Sequence, residues 1–256
     1  MARALRAVAE GEGDELTFCG TCAFAPVCLP NGYDKFALAE LHCLIEHVGP
    51  FPPGHVVFRR GDDFGAVYAV RAGAVKTSVV DEHGREQVLG FYLPGELVGL
   101  SGIYPAHYPC DAVALDTLTL CRFSFPAMAM LATRLPGIQQ QLFRLMSKDI
   151  GDAALLAGDY SADERLAAFL VRLSERHAAR GVSAARLHLA MSRTDIANYL
   201  RLAPETVSRV LRRFVDDAYV ARWRPLLEQR LGLAAARLAA LLDATLGNVA
   251  NQGKAR

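Results

Sequence analysis

Regularly spaced glycines constrain the N-terminal half of this chain more than any other feature. Between Phe51 and Phe125 they recur every seven to twelve residues, at positions 54, 61, 73, 84 and 95. The segments between them, such as AVYAV, AVKTSVV and REQVLGFYL, are rich in β-forming residues. Short strands with turn signals at this spacing are typical of a compact antiparallel sandwich or barrel. The pattern also predicts two hairpins, AVYAV-RAG-AVKTSVV and SVV-DEHG-REQVLGF.

The hydrophobic period becomes helical after Pro136, and an apolar stripe continues to about Ala157. A long helix beside a β domain is typical of an interdomain spine or a dimer seam. We therefore predict a homodimer whose seam consists of Ile138, Leu142, Leu145, Asp149, Ile150 and Asp152. Because two-fold symmetry places a seam residue near its own copy, the two aspartates would repel their partners. A shorter helix is predicted from Asp34 to His47.

Two short helices joined by a tight turn are predicted in the segment MSRTDIANYLRLAPETVSRVLRRF. Ser192, followed three residues later by Asp195, resembles a capping box and predicts a first helix from about Arg193 to Leu200. Pro204 suits the first position of a second helix, where its missing N–H costs nothing. Arg201 stands near the turn, where a positive φ costs an L-residue roughly 1 kcal/mol.

The second of these helices has one apolar and one charged face. Its apolar face consists of Val207, Val210, Leu211 and Phe214, and its opposite face of Glu205, Ser208, Arg209 and Arg212. An arginine fork matches guanine O6 and N7, and a glutamate can accept from cytosine N4. The segment therefore predicts a DNA-binding helix-turn-helix, with Thr206 and Arg193 as further DNA contacts.

The formal net charge of +1 conceals an uneven distribution. Residues 1–133 carry 9 Lys and Arg against 15 Asp and Glu, a net charge of −6, whereas residues 134–256 carry 19 against 12, a net charge of +7. The basic half suits double-stranded DNA.

Neither an apolar run of membrane-spanning length nor a signal peptide is present, so we expect a soluble, cytoplasmic protein without membrane contacts.

Three of the six cysteines, Cys19, Cys22 and Cys28, lie within the segment CGTCAFAPVC. Since no export signal is present, metal-ligand roles are favoured over a disulfide framework. Three thiolates from one loop and a fourth from elsewhere suit either an iron–sulfur cluster or tetrahedral zinc, and the spacing alone does not choose between them.

Catalytic use of cysteine is not expected. Cys110 or Cys121 near His107, and Cys43 beside His42, each lack an identified third group that would orient the histidine. The chain is therefore predicted not to be an enzyme.

Several motifs together resemble the cyclic-AMP receptor and fumarate-nitrate reduction regulator (CRP/FNR) superfamily, in its oxygen-sensing FNR branch. They are CGTCAFAPVC, FRRGD, GFYLPGELVGL, LTLCRFSF, DERLAAF and APETVSRVLRRF, and the resemblance covers roughly residues 19 to 220. It implies an α+β chain with an N-terminal antiparallel β-roll of the cyclic-nucleotide-binding type, a long dimerisation helix and a C-terminal winged helix-turn-helix. The corresponding segments are an arm with the cysteine cluster (1–32), the β-roll (33–132), the dimerisation helix (133–158), the helix-turn-helix domain (159–224) and a tail with a short helix (225–256).

The resemblance also implies a cofactor and partners. Cys19, Cys22, Cys28 and Cys121 match the four cysteines that hold a [4Fe-4S] cluster in that branch, while Cys43 and Cys110 lie outside the motif. The loaded dimer is expected to bind a palindrome of the TTGAT-N4-ATCAA type and to contact RNA polymerase. The alternative is a related regulator with structural zinc or no metal that responds to another signal.

Cyclic-nucleotide binding is not expected. Gly95, Glu96 and Leu97 resemble the start of a phosphate-binding cassette, but PCDA stands at 109–112, where the nucleotide-binding branch places an arginine and a small hydroxyl residue. Without that arginine a buried phosphate would be unpaired, which costs free energy.

Overall fold

The computed structural model describes residues 45–156, 160–182 and 187–214, and for residues 148–156 it describes only the helical backbone. The chain divides into two compact units, the first ending at Pro204 and the second beginning at Glu205. Each unit is described by itself.

Eight short strands form two antiparallel four-stranded sheets in the first unit. The strands are β1 (Ile45–Phe51), β2 (Val56–Phe58), β3 (Ala66–Ala72), β4 (Val75–Val80), β5 (Glu86–Tyr92), β6 (Leu97–Val98), β7 (Asp111–Ala114) and β8 (Leu118–Ser124). One sheet has the order β1-β8-β3-β6 and the other the order β2-β7-β4-β5. The predicted antiparallel β-roll is confirmed.

One predicted hairpin is confirmed and the other is wrong. Strands β4 and β5 pair from Val75↔Tyr92 to Val80↔Glu86. Strands β3 and β4 do not pair, because β3 lies between β8 and β6 whereas β4 lies between β7 and β5. Gly73, at φ +85°, turns the chain from one sheet to the other, and a Cβ there would clash with the Thr117 carbonyl oxygen.

Five helices follow or flank the sheets among the described residues. They are α1 (Phe125–Arg134), α2 (Pro136–Leu156), α3 (Ala162–Ala178), α4 (Arg193–Leu200) and α5 (Pro204–Phe214). The long helix predicted after Pro136 is confirmed as α2. The helix predicted from Asp34 to His47 is wrong at its C-terminal end, because Ile45 already begins β1; the rest of that prediction lies outside the described residues.

Within the part of the chain that the structure describes, two hydrophobic clusters form the core. The first packs α1 and the start of α2 against the β1-β8-β3-β6 sheet, and its buried members are Val67, Ala69, Leu97, Leu100, Phe123, Met128, Leu131 and Ile138. The second lies among strands of both sheets and includes Phe58, Tyr108, Cys110 and Leu118. Tyr108 donates to the Ala66 carbonyl oxygen at 2.7 Å, which satisfies its buried hydroxyl.

Three of the residues predicted for the dimer seam pack within their own chain. Ile138 is 0% exposed within the first core cluster, and Leu142 and Leu145 pack against the same cluster. Their side chains therefore pack on the β-roll of their own chain, and their role in a dimer seam stays a prediction. Among the α2 side chains up to residue 147, which are the ones described, Phe143 is the most exposed apolar one, at 60%. The side chains of Asp149, Ile150 and Asp152 lie outside the described residues.

Candidate DNA-reading helix and cluster ligand

The helix α4 begins with the predicted capping box. The Ser192 hydroxyl accepts from the Asp195 N–H at 3.0 Å, and the Asp195 carboxylate accepts from the Ser192 N–H at 3.3 Å. The helix ends at Arg201, which adopts the left-handed conformation at φ +56° and ψ +45°. The N–H of Leu202 then donates to the Ala197 carbonyl oxygen at 2.8 Å. Arg201 therefore occupies the turn position near which the sequence places it, with a positive φ, and the turn leads directly to Pro204.

Helix α5 separates apolar from charged residues as its sequence predicts. Val207 and Val210 are fully buried. Glu205, Arg209 and Arg212 are exposed, whereas Thr206 and Ser208 are partly buried. The Arg209 guanidinium lies 3.4 Å from the Thr206 hydroxyl oxygen. An exposed arginine one turn beyond an exposed glutamate presents a donor fork and an acceptor on the same face.

Arg193 is exposed at the first position of α4. Its positive charge favours contact with a phosphate. This position is compatible with its predicted role as a DNA contact.

The two cysteines that the structure describes differ in their suitability as metal ligands. Cys110 is buried, and burial raises the pKa of its thiol, which keeps it protonated. Cys121 lies on β8, is only partly buried, and its Sγ is 3.5 Å from His47 Nδ1. Partial exposure makes Cys121 compatible with the predicted ligand role, whereas burial disfavours the thiolate form of Cys110. Cys19, Cys22, Cys28 and Cys43 lie outside the described residues.

His47 was not identified by sequence reasoning. It faces Cys121 because β1 and β8 are antiparallel with His47 opposite Cys121. Beside this pair, Glu46 and Arg122 form an ion pair of 3.0 Å. No local pattern predicts this register, so no signal in the sequence could have found the contact. Within the described ranges, no group of three or more His, Cys, Asp or Glu side chains could hold a metal ion, and the other three predicted ligands precede these ranges.

The predicted cassette region is occupied by protein contacts. The Glu96 carboxylate accepts from Arg176 Nε at 2.8 Å and pairs with Arg180 Nη2 at 2.5 Å. The Asp111 carboxylate accepts from the Arg60 N–H at 2.7 Å. Glu96 is therefore engaged by the two arginines, and the predicted phosphate position holds the acidic Asp111 instead of an arginine. No helix in the described part of the chain is both long and apolar enough to cross a membrane.

Comparison with known proteins agrees with this architecture. Residues 49–134 match the cyclic nucleotide-binding domain family, and residues 164–241 match the Crp-like helix-turn-helix domain family. The chain is 46% identical to the transcriptional activator protein anr of Pseudomonas aeruginosa, over 79% of this chain and 84% of that protein. It is 39% identical to the fumarate and nitrate reduction regulatory protein of Escherichia coli K12, over 79% of this chain and 82% of that protein.

A solved structure resembles the same arrangement of elements. FixK2 from Bradyrhizobium japonicum superimposes with a TM-score of 0.57 and 26% identity, covering 65% of this chain and 82% of that one. These relatives are transcription regulators, and the residues described above supply the same β-roll and helix-turn-helix. The chain is a transcriptional regulator of the CRP/FNR family, in the branch of the Anr and fumarate-nitrate reduction regulators, and it is not an enzyme.

Proposed function

We propose that this regulator responds to oxygen through a [4Fe-4S] cluster held by Cys19, Cys22, Cys28 and Cys121. The observation that carries the proposal is the placement of Cys121, which is accessible on β8 while Cys110 is buried. When bound, such a cluster supplies an oxygen-labile centre that joins the N-terminal segment to the β-roll. Membership of the branch that contains the fumarate and nitrate reduction regulators, which the sequence motifs resemble as oxygen sensors, supports the same cofactor.

The chain's own residues then prepare the thiolate. With Nδ1 protonated, His47 donates a hydrogen bond toward the Cys121 sulfur, 3.5 Å away. A donor at this position stabilises negative charge on the sulfur and orients the ligand. The Glu46–Arg122 ion pair, on the neighbouring residues of both strands, holds β1 against β8 beside the ligand.

Dimerisation is proposed to use the outward face of α2. Because Ile138 is buried in its own chain, we assign the seam to the exposed Phe143 and Met146, together with Met130 of α1. Ile150 follows Phe143 by seven residues, or two helical turns, and so continues the same row. Loss of the cluster in air is expected to weaken this association.

DNA recognition is proposed to use α5. Two-fold symmetry of the dimer presents two copies of this helix to a palindrome of the TTGAT-N4-ATCAA type. In each half-site Arg209 would bind guanine through its fork and Glu205 would accept from cytosine N4. Ser208 and Thr206 contribute hydroxyl contacts, while Arg212 and Arg193 bind phosphates. RNA polymerase is the expected protein partner, and the cytoplasm the expected location, because the relatives are named as transcriptional activators.

Cluster content tests the cofactor. Anaerobically purified protein should contain about four iron and four acid-labile sulfide per chain. Replacing Cys121 by Ser should prevent assembly, and Cys110→Ser is the matched control that should retain the cluster. One equivalent of zinc without sulfide would support the structural-zinc alternative and overturn oxygen sensing.

Base preference tests the reading helix. Arg209→Ala should cost roughly 1 to 3 kcal/mol per half-site and reduce discrimination at the guanine. Arg212→Ala should instead weaken binding to all sequences alike and reduce the salt slope by about one unit. Isotherms on the palindrome and on single-base variants, at several salt concentrations, separate these effects. If Arg209→Ala weakens all sites equally, the base-reading assignment is wrong.

A further inference from the structure

The sensory β-roll and the first helices of the DNA-binding domain are joined by a set of polar contacts within one chain. These contacts involve β4, β5 and the turn before β6 on one side, and α3 and α4 on the other. We call them the β5 clamp, and its side chains are Lys76, Glu96, Arg176, Arg180, Asp195 and Asn198.

At one end of the clamp, Asn198 binds the edge of a sheet. Its Oδ1 accepts from the Val88 N–H at 2.8 Å, and its Nδ2 donates to the Glu86 carbonyl oxygen at 2.6 Å. Strand β5 is the last strand of the β2-β7-β4-β5 sheet, so its outer backbone groups have no neighbouring strand in that sheet. A carboxamide carries the same donor and acceptor as a peptide group, and Asn198 therefore ties α4 to this edge as a further strand would.

An ion pair reinforces the same helix. Lys76 Nζ lies 2.6 Å from Asp195 Oδ1, and both side chains are only 15% exposed. Asp195 also completes the capping box of α4. The carboxylate that caps the first turn of α4 is therefore also the one that Lys76 of the sheet holds, and α4 cannot shift along β5 without breaking this contact.

At the other end, Glu96 holds α3. Its carboxylate pairs with Arg176 and Arg180, and Arg176 also donates to the Phe91 carbonyl oxygen at 2.6 Å. Arg180 is 4% exposed and Glu96 11% exposed, so water screens their attraction only weakly.

A short row of backbone pairs connects Glu96 to the proposed cluster ligand. Across the β1-β8-β3-β6 sheet, Cys121 is opposite Ala69 of β3, and the same Ala69 is opposite Leu97 of β6. Glu96 immediately precedes Leu97. The proposed cluster ligand on β8 is thus two strands away from β6, which Glu96 immediately precedes.

We propose that the β5 clamp carries the state of the sensory β-roll to the DNA-binding domain within a single chain, with Lys76 and Asn198 as positioning residues for α4. The inference rests on the proposed function, because the cluster defines the two states. In the sequence, residues 201–203 separate α4 from α5, and the proposal is that a change at α4 reaches the reading helix through this short connection. This route does not require a partner subunit, unlike control through dimerisation.

Hydrogen exchange of the full-length protein, with and without air, tests the route. Peptides covering β5 and α4 should exchange at least about fivefold more slowly without air, which is the lower end of ordinary allosteric coupling. In the double variant Lys76→Met, Asn198→Ala, these peptides should exchange at the same rate with and without air, while the protein retains its iron and sulfide. Thr194→Ala changes an exposed position on the same helix and is the matched control, which should keep the fivefold difference.

A purely structural clamp gives a different result. In that case the peptides of the double variant exchange faster by the same factor with and without air. The ratio of the two exchange rates then equals that of the unaltered protein, which overturns the inference. Phe143→Glu, intended to block the proposed dimer seam, should keep the difference in exchange rate between the two atmospheres. If the difference disappears in this monomeric variant, the coupling depends on dimerisation. Protein without iron and sulfide overturns the proposed function itself, whereas loaded protein with equal exchange in both atmospheres overturns only the clamp.

Discussion

Removal of one charge from the β5 clamp should measurably destabilise the protein. In Glu96→Gln, the shape of the side chain is kept but its negative charge between Arg176 and Arg180 is lost. The Arg180 side chain is 4% exposed, so its charge would stay buried beside that of Arg176. Breaking a buried ion pair on one side costs about 3 to 5 kcal/mol. Since glutamine still accepts one hydrogen bond, we expect about 3 kcal/mol, or roughly 6 to 12 °C in Tm for a chain of this size.

Urea and thermal unfolding, followed by far-UV circular dichroism, measure this loss. Glu82→Gln is the matched control, because that side chain is 86% exposed, and it should leave Tm unchanged. The double variant Glu96→Gln, Arg180→Met should cost less than the sum of the single variants, since the second change removes the unpaired charge. A loss below about 1 kcal/mol in Glu96→Gln, or strict additivity, would refute a buried and coupled pair.

Three further predictions concern pH, the cluster ligand and the dimer. Burial alone would raise the pKa of Asp195, but hydrogen bonds from Lys76 and Ser192 outweigh it and hold that pKa below 3.8. Its contribution to stability is therefore present above pH 3.8 and is lost as pH falls through the folded pKa. In Asp195→Asn, the free energy of unfolding measured in urea should therefore depend less on pH in that range. His47→Ala should shorten the life of the cluster in air by roughly tenfold, judged by visible absorbance, whereas His47→Gln, which still carries an N–H donor, should preserve part of it. Phe143→Glu should keep the anaerobic protein monomeric in sedimentation; an unchanged dimer would exclude the outward face of α2.

The sequence predicts the local elements well, because each depends on a short pattern. The capping box at Ser192, the left-handed Arg201 and the β4–β5 hairpin all follow from residues a few positions apart. The error at β3 and β4 has the opposite origin. Alternation identifies both strands, but it contains no information about which strand each one pairs with, and Gly73 allows the chain to cross between sheets where a hairpin was expected.

The contacts most relevant to function are the ones that local patterns cannot reveal. Lys76 and Asp195 are separated by 119 positions in the sequence, and His47 and Cys121 by 74. Each of these residues is unremarkable in its own segment. They become neighbours only through sheet pairing and the packing of α4 on β5. Family resemblance therefore points to Cys121 as the proposed fourth cluster ligand but does not point to its histidine neighbour.

The same distinction explains the revised dimer seam. A helical stripe identifies which residues of α2 are apolar together, but it does not identify what covers them. Ile138, Leu142 and Leu145 form such a stripe, and the β-roll of the same chain lies against it. Because this stripe packs on its own domain, we propose that a partner contacts the exposed row of α2 that includes Phe143. Substitution of Ile138 should then act through stability of the monomer before it acts on association.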